Sequence, residues 1–175
     1  MWWSRILAVI VAAGLLAACG FQPLYGGGKR GPAATELASI RIDPIADRNG
    51  QVLRNHLLDR LTPYGRPANP AYVLRITLTD SLSGIAVRKS EFPTRTSLRI
   101  AASYHLARAD TGQSVFSASS AIEGGYNILN SEFATLAAEQ DVRERVLREV
   151  AFDIEARLAA FFRLRQEQPA AQVTP

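Results

Sequence analysis

The sequence predicts an α+β domain, a two-layer sandwich in which a four-stranded, mostly antiparallel sheet carries two helices on one face. Two observations point there. Over residues 72–79 and 97–106 apolar and polar residues alternate, the period of strands with one covered face. Over residues 131–165, and on a smaller scale over 51–61, the apolar residues recur at helical spacing instead. The segment order is strand, helix, three hairpin-linked strands, long helix. It permits one crossover and then a meander, with both helices on the apolar face.

The chain opens on a segment that does not belong to this domain. Residues 1–5 hold one positive charge, and residues 6–18 hold none. An apolar run of that length is too short to cross a hydrocarbon core of about 30 Å, which needs about 20 helical residues. A positive start, a short apolar stretch and small residues before a cut site make a secretory signal over residues 1–18. Leu16-Ala17-Ala18-Cys19 resembles the lipobox of bacterial lipoproteins, in which small residues fit the signal peptidase and the thiol carries diacylglycerol. Cys19 is the only cysteine in the chain, so it has no disulfide partner within the molecule. Lipidation explains an unpaired thiol on an exported protein.

The lipobox resemblance implies a covalent diacylglycerol and an N-acyl chain on Cys19, and no other cofactor. One acyl chain holds only marginally, at about 0.8 kcal/mol per buried methylene; three make the anchor durable. Gly20 stands where the retention signal of Gram-negative lipoproteins has Asp. That places the protein at the outer membrane, facing the periplasm.

Residues 19–36 read as a flexible, glycine-rich tether, residues 37–165 as the domain, and residues 166–175 as a disordered tail. The first strand is expected over 37–45, closed by Pro44. Asp47-Arg48-Asn49-Gly50 reads as a turn before a helix with Leu53, Leu57, Leu58 and Leu61 on one face. In the alternating runs, Tyr72, Leu74, Ile76, Leu78, Leu98, Ile100, Ala102, Tyr104 and Leu106 point inward. Arg75, Thr77, Thr79, Ser97, Arg99 and Ser103 form the polar face. Ala109-Asp110-Thr111-Gly112 is a hairpin turn, and residues 113–122 give the fourth strand. Phe133, Leu136, Val146, Leu147, Val150, Ile154, Leu158 and Phe161 mark the stripe of the long helix. Glu139–Arg143, Asp141–Arg145, Glu144–Arg148 and Asp153–Arg157 are i,i+4 pairs in the favourable acid-first order.

Without its signal the chain has 157 residues, one ordinary domain. Its basic character comes from eighteen arginines against two lysines, yet the net charge is only +4. That balance, on an exported chain, gives no ground for a nucleic-acid partner. Residues 66–108 hold seven basic and two acidic side chains, so the excess sits in the middle of the chain.

Enzyme chemistry finds no foothold. There is no G-x-S-x-G elbow and no H-E-x-x-H or paired cysteines for zinc. Gly26-Gly27-Gly28-Lys29 lacks the first glycine and the Ser or Thr of a phosphate loop. His56 falls on the short helix and His105 on the polar strand face, as surface or boundary histidines.

Four stretches carry a family resemblance. They are Cys19-Gly20-Phe21-Gln22-Pro23-Leu24-Tyr25-Gly26 at the mature start, Tyr72-Val73-Leu74 with Ala102-Ser103-Tyr104 in the strands, and Phe133-Ala134-Thr135-Leu136-Ala137-Ala138-Glu139 opening the last helix. Together with Arg143-Glu144-Arg145, Leu147-Arg148, Ile154, Arg157-Leu158 and Phe161-Phe162, they resemble the LptE family of lipopolysaccharide-assembly lipoproteins, in its alphaproteobacterial style. The resemblance implies a fold of two helices on a four-stranded sheet. It also implies a role: a non-enzymatic, lipid-anchored plug that helps assemble the LptD β-barrel and assists lipopolysaccharide delivery to the outer leaflet. Wide outer-membrane barrels have polar interiors, which suits the polar strand face; a sheet face in water would look the same. Lipopolysaccharide carries phosphates and acids, and Arg88, Lys89, Arg95 and Arg99 are the basic residues closest together, so they are the candidate contacts. The alternative is a scaffold or pilot lipoprotein for another outer-membrane barrel or a secretin.

Overall fold

The computed structural model describes residues 32–85 and 95–167. In chain order these run α1 (Pro32–Ala38), β1 (Ile40–Ile42), α2 (Asp47–Leu61), β2 (Tyr72–Ile85), β3 (Arg95–Arg108), β4 (Ser114–Asn127) and α3 (Glu132–Glu167). The sheet has four strands in the order β1-β2-β3-β4. β1 lies parallel to β2, with α2 as the crossover, and the remaining pairs are antiparallel. This is the α+β architecture the alternation predicts.

The inner face is built from every second strand residue. Tyr72, Leu74, Leu98, Ile100, Ala102, Tyr104 and Leu106 are all buried, and Ile76 and Leu78 are half-buried. α3 packs over β4 and β3, while α2 packs against α3, β1 and β2. Leu53, Leu57 and Leu61 from α2 meet Val146, Val150, Ile154, Leu158 and Phe162 from α3 in one core. Burying each such side chain stabilises by about 1.5–3 kcal/mol. At one end the core is aromatic: Phe161 stacks on Phe116 at 4.9 Å and meets Phe162 at 5.2 Å, and Phe162 meets Tyr72 at 5.2 Å. Between the helices Arg60 donates to Glu155 at 2.9 Å and lies 5.3 Å from the centre of the Phe152 ring.

Several elements depart from the sequence expectation. Strand pairing at the start covers only Ile40–Ile42, and α1 occupies residues 32–38, where the tether and the first strand were expected to meet. Ala33, Ala34, Glu36, Leu37 and Ala38 are good helix formers behind a proline at the first helical position, and Leu37 gains burial in the core. The expected turn at 47–50 is the first turn of α2. Asp47 takes φ 66 there, a left-handed conformation that Asp tolerates better than most side chains. Gly50 is a packing residue, since a Cβ on it would stand 2.7 Å from Ile45 Cγ2.

β4 runs on to Asn127, five residues past the expected end. The buried stripe of α3 begins only at Val142, and Phe133 and Leu136, assigned to it by spacing, are 82% and 51% exposed. Among the described residues three of the four expected i,i+4 pairs close, at Glu139–Arg143, Glu144–Arg148 and Asp153–Arg157.

Candidate functional site

The lipobox residues Leu16, Ala17, Ala18 and Cys19 lie outside the described residues, as do Arg88 and Lys89. Arg95 and Arg99 are described. Both sit on β3 and point to the outer, helix-free face of the sheet, four residues and thus about 13 Å apart. Arg99 stands between Ser81 and Glu123 in the strand register, and Arg95 between Ile85 and Asn127. The Arg95 guanidinium crosses to β4 and lies over Gly125, where a Cβ would come within 2.9 Å of Nη2. Gly125 is thus a positioning residue that the sequence reading missed. The signal was there: two successive glycines inside a strand mark a close approach.

The outer face is mostly polar, interrupted by the buried apolar pair Val73–Ala107 near β1 and by Ala101 beside Ala121. Arg75, His105 and Ser117 form one cross-strand row; Thr77, Ser103 and Ser119 form the next; Ser81, Arg99 and Glu123 form another. All of these residues are exposed. Ser97, expected on this exposed surface, is instead buried at 7%. It pairs with Gly125, the residue that the Arg95 arm covers. Asp43 holds Arg75 at 3.2 Å and Arg41 at 3.5 Å, which fixes these cations at the end of the sheet away from Arg95. His105 Nδ1 lies 2.9 Å from Ser117 Oγ on this open surface, without the cleft that nucleophilic chemistry needs. His56 falls on α2, on the other side of the sheet.

Near Arg95 the surface changes character. Ile128, Leu129, Phe133 and Leu136 are exposed just past the end of β4, and Leu82 is exposed near the end of β2. The turn from β4 into α3, which displays Ile128 and Leu129, is held by hydrogen bonds. Thr135 Oγ1 accepts from the Leu129 N–H at 2.9 Å, and Ser131 Oγ accepts from the Ala134 N–H at 3.4 Å, a helix N-cap contact. Tyr126 donates to Glu139, which Arg143 holds at 2.6 Å. One end of the molecule therefore carries exposed apolar side chains, and the sheet's outer face at that end carries the cationic Arg95. Such a surface suits an amphipathic anion.

A cleft of about 290 Å³ opens at the start of α2, lined by Ile45, Asp47, Asn49, Leu78, Asp80 and Ile100. Asn49 Nδ2 donates to Asp80 Oδ2 at 3.3 Å across it. Among the described residues its lining holds no histidine, serine or cysteine. Among the described residues no cluster of His, Cys, Asp and Glu could hold a metal, and no helix is long and apolar enough to cross a membrane.

No family model and no curated protein matches the sequence. Solved structures do. A Caulobacter crescentus protein described as a lipoprotein is similar at a TM-score of 0.62 with 27% identity, over 77% of this chain and 98% of that one. A minor lipoprotein from Acinetobacter baumannii matches at 0.57 with 16% identity, over 69% and 90% of the two chains. Rare lipoprotein B from Shewanella oneidensis matches at 0.55 with 14% identity, over 73% and 98%. The chain thus has the fold of a group of bacterial lipoproteins.

Proposed function

We propose that this chain is an outer-membrane lipoprotein of LptE type, anchored through Cys19, that plugs and helps assemble the LptD β-barrel and assists lipopolysaccharide delivery to the outer leaflet. The observation that carries the reading is a lipobox cysteine on a chain whose fold matches lipoproteins, rare lipoprotein B among them. The mostly polar outer face supports it, because a plug inside a water-filled barrel needs a hydrophilic surface on the sheet side as well as the helix side. The role asks nothing of catalytic groups. Its work is to fill, to brace and to offer charge to a phosphorylated lipid.

Depletion of the protein tests the reading. Surface lipopolysaccharide should fall, and the affinity-purified protein should bring down the LptD barrel. Normal surface lipopolysaccharide with a barrel of another class, or a secretin, in the purified material would replace this reading with that of a scaffold or pilot lipoprotein. The anchor is tested separately by Cys19→Ala, which should accumulate unprocessed or soluble periplasmic protein. Full processing and membrane retention of that variant would sink the lipoprotein claim.

A further inference from the structure

The sheet has a gap on its β1 side. β1 pairs with β2 only from Tyr72 to Leu74, and the chain then leaves the sheet for α2. Among the described residues no strand lies beside β2 on that side from Ile76 to Ile85. The Asp43 N–H donates to the Leu74 carbonyl, so residue 74 turns its backbone groups toward β1. That direction alternates along a strand, and β2 keeps its register with β3 throughout. Ile76, Leu78, Asp80 and Leu82 therefore turn their N–H and C=O groups toward the gap. The stretch holds no proline and no basic residue, and its one charge is Asp80.

A second observation lies on the inner face of the same residues. Ile76, Leu78 and Asp80 line the cleft of about 290 Å³ at the start of α2, together with Ile45, Asp47 and Ile100. Its floor is apolar: Ile45 and Ile100 are buried, and Ile76 and Leu78 are half-buried. Its rim is acidic. Asp47 and Asp80 are both exposed, and among the described residues no basic side chain lines the cleft. Asn49, which donates to Asp80 at 3.3 Å, is neutral and leaves that charge unbalanced. On a chain of net charge +4 this is a local reversal of sign.

We propose that this gap is a docking site for an extended peptide segment of another chain, which adds as a strand beside β2 where β1 leaves off and sets a lysine or arginine over the cleft. A row of outward backbone groups is complementary to another extended backbone, and pockets for alternate side chains give such a site its specificity. The added strand lies about 4.8 Å from β2, with every second side chain on the inner face. A basic side chain opposite Asp80 lays its aliphatic stem along Ile76 and Leu78 and brings its charge to Asp80 and Asp47. Opposite charges on facing strand residues attract, and like charges repel. A charge pointing inward from a strand also deters pairing with an apolar strand, so Asp80 selects a basic one. A single strand brings no second helix layer with it, and the cleft gives room for its inward side chains. The inference does not rest on the barrel reading and is compatible with it, since the site needs only one copy of this chain.

The test uses the full-length lipidated protein in mild detergent and an array of random capped peptides of about eight residues, a usual strand length. Bound sequences should carry a lysine or arginine with apolar residues two positions to either side, the period of one strand face. The strongest of them is then resynthesised with N-methyl groups on alternate residues. One parity should weaken binding about tenfold or more and the other should leave it unchanged, because only one edge of an added strand faces β2. Asp47→Asn with Asp80→Asn removes both charges, and Asn tolerates the left-handed backbone of Asp47 as Asp does. This variant should keep the native circular dichroism, bind the basic peptide about tenfold more weakly and lose most of its salt dependence. Four results each overturn the proposal: no peptide bound above the level of an unrelated lipoprotein, enrichment without basic residues or without the alternation, equal effects of the two N-methyl parities, or full affinity in the folded double variant.

Discussion

At the residue scale, close packing decides what a position tolerates, and the paired glycines of β4 show how differently two neighbours behave. A Cβ on Gly124 would stand 2.7 Å from Val146 Cγ2 and 2.8 Å from Val142 Cγ1. Both valines are buried on a long helix that cannot shift alone. Gly124→Ala should therefore destabilise by about 1–3 kcal/mol, the usual cost of overpacking. A Cβ on Gly125 would meet only the end of the Arg95 arm, which can swing away. Gly125→Ala should change the urea midpoint little. Equal losses would mean that the helix does not press on the sheet at Gly124. Tyr104 is a second case. Its ring is fully buried, its hydroxyl has no partner, and burial pushes its pKa from 10.0 up to about 12. A raised folded-state pKa gives stability that is full below pH 10 and is lost as pH rises through about 12. Stability should fall over that window, and Tyr104→Phe should flatten the fall while leaving the midpoint near neutral pH unchanged or higher. Part of the alkaline loss should remain in the variant, since burial and the nearby Glu139 also raise Tyr126. Identical alkaline limbs in the two proteins would contradict the assignment.

At the element scale, the strands were the most legible part of the fold. Alternation named the inner-face residues of β2 and β3 correctly because one face meets the helices along most of its length. What escaped was whatever depends on residues distant in sequence. α1 is a short helix whose Leu37 is buried by core residues far along the chain, and no local period announces it. Gly50 reads as a turn glycine because the neighbour that needs its space, Ile45, lies outside any helical pattern. The stripe of α3 continues in sequence through Phe133 and Leu136, but the covered stripe begins only at Val142. Periodicity reports a face; it does not report whether anything covers it. The covered half of α3 gives the sharper prediction. Ile154 is fully buried among apolar residues, so Ile154→Asp places an unpaired charge there and should unfold the domain or cost several kcal/mol. Glu144 is exposed and holds Arg148 at 3.5 Å, so Glu144→Ala should cost less than about 1 kcal/mol. Comparable midpoints for the two variants would mean that the helix is rotated from the orientation described.

At the scale of the whole molecule, charge and apolar surface are distributed by end and by face. The helix side closes the core, the sheet side is mostly polar, and the end near Arg95 sets Ile128, Leu129 and Phe133 in the open. Lipopolysaccharide combines phosphates with acyl chains, and a surface that handles it must offer cations beside apolar groups. Arg95 and Arg99 offer two such cations on one face, and Arg88 and Lys89 precede them within the same chain segment. Their charges should act together on a phosphorylated ligand at low salt and be screened beyond a Debye length of about 10 Å at 0.1 M. Replacing all four by glutamate reverses the sign of this region, and the exposed Arg95 and Arg99 lie off the core. The variant should keep the native circular dichroism and, on the proposed function, co-purify with the barrel as the native protein does. Binding of purified lipopolysaccharide should weaken, and its dependence on salt should shrink, since the attraction that salt screens has been removed. A folded quadruple variant that binds lipopolysaccharide as the native protein does would remove these residues from the contact. The apolar end would then be the place to look, and Phe133→Ser with Leu129→Ser the pair to measure next.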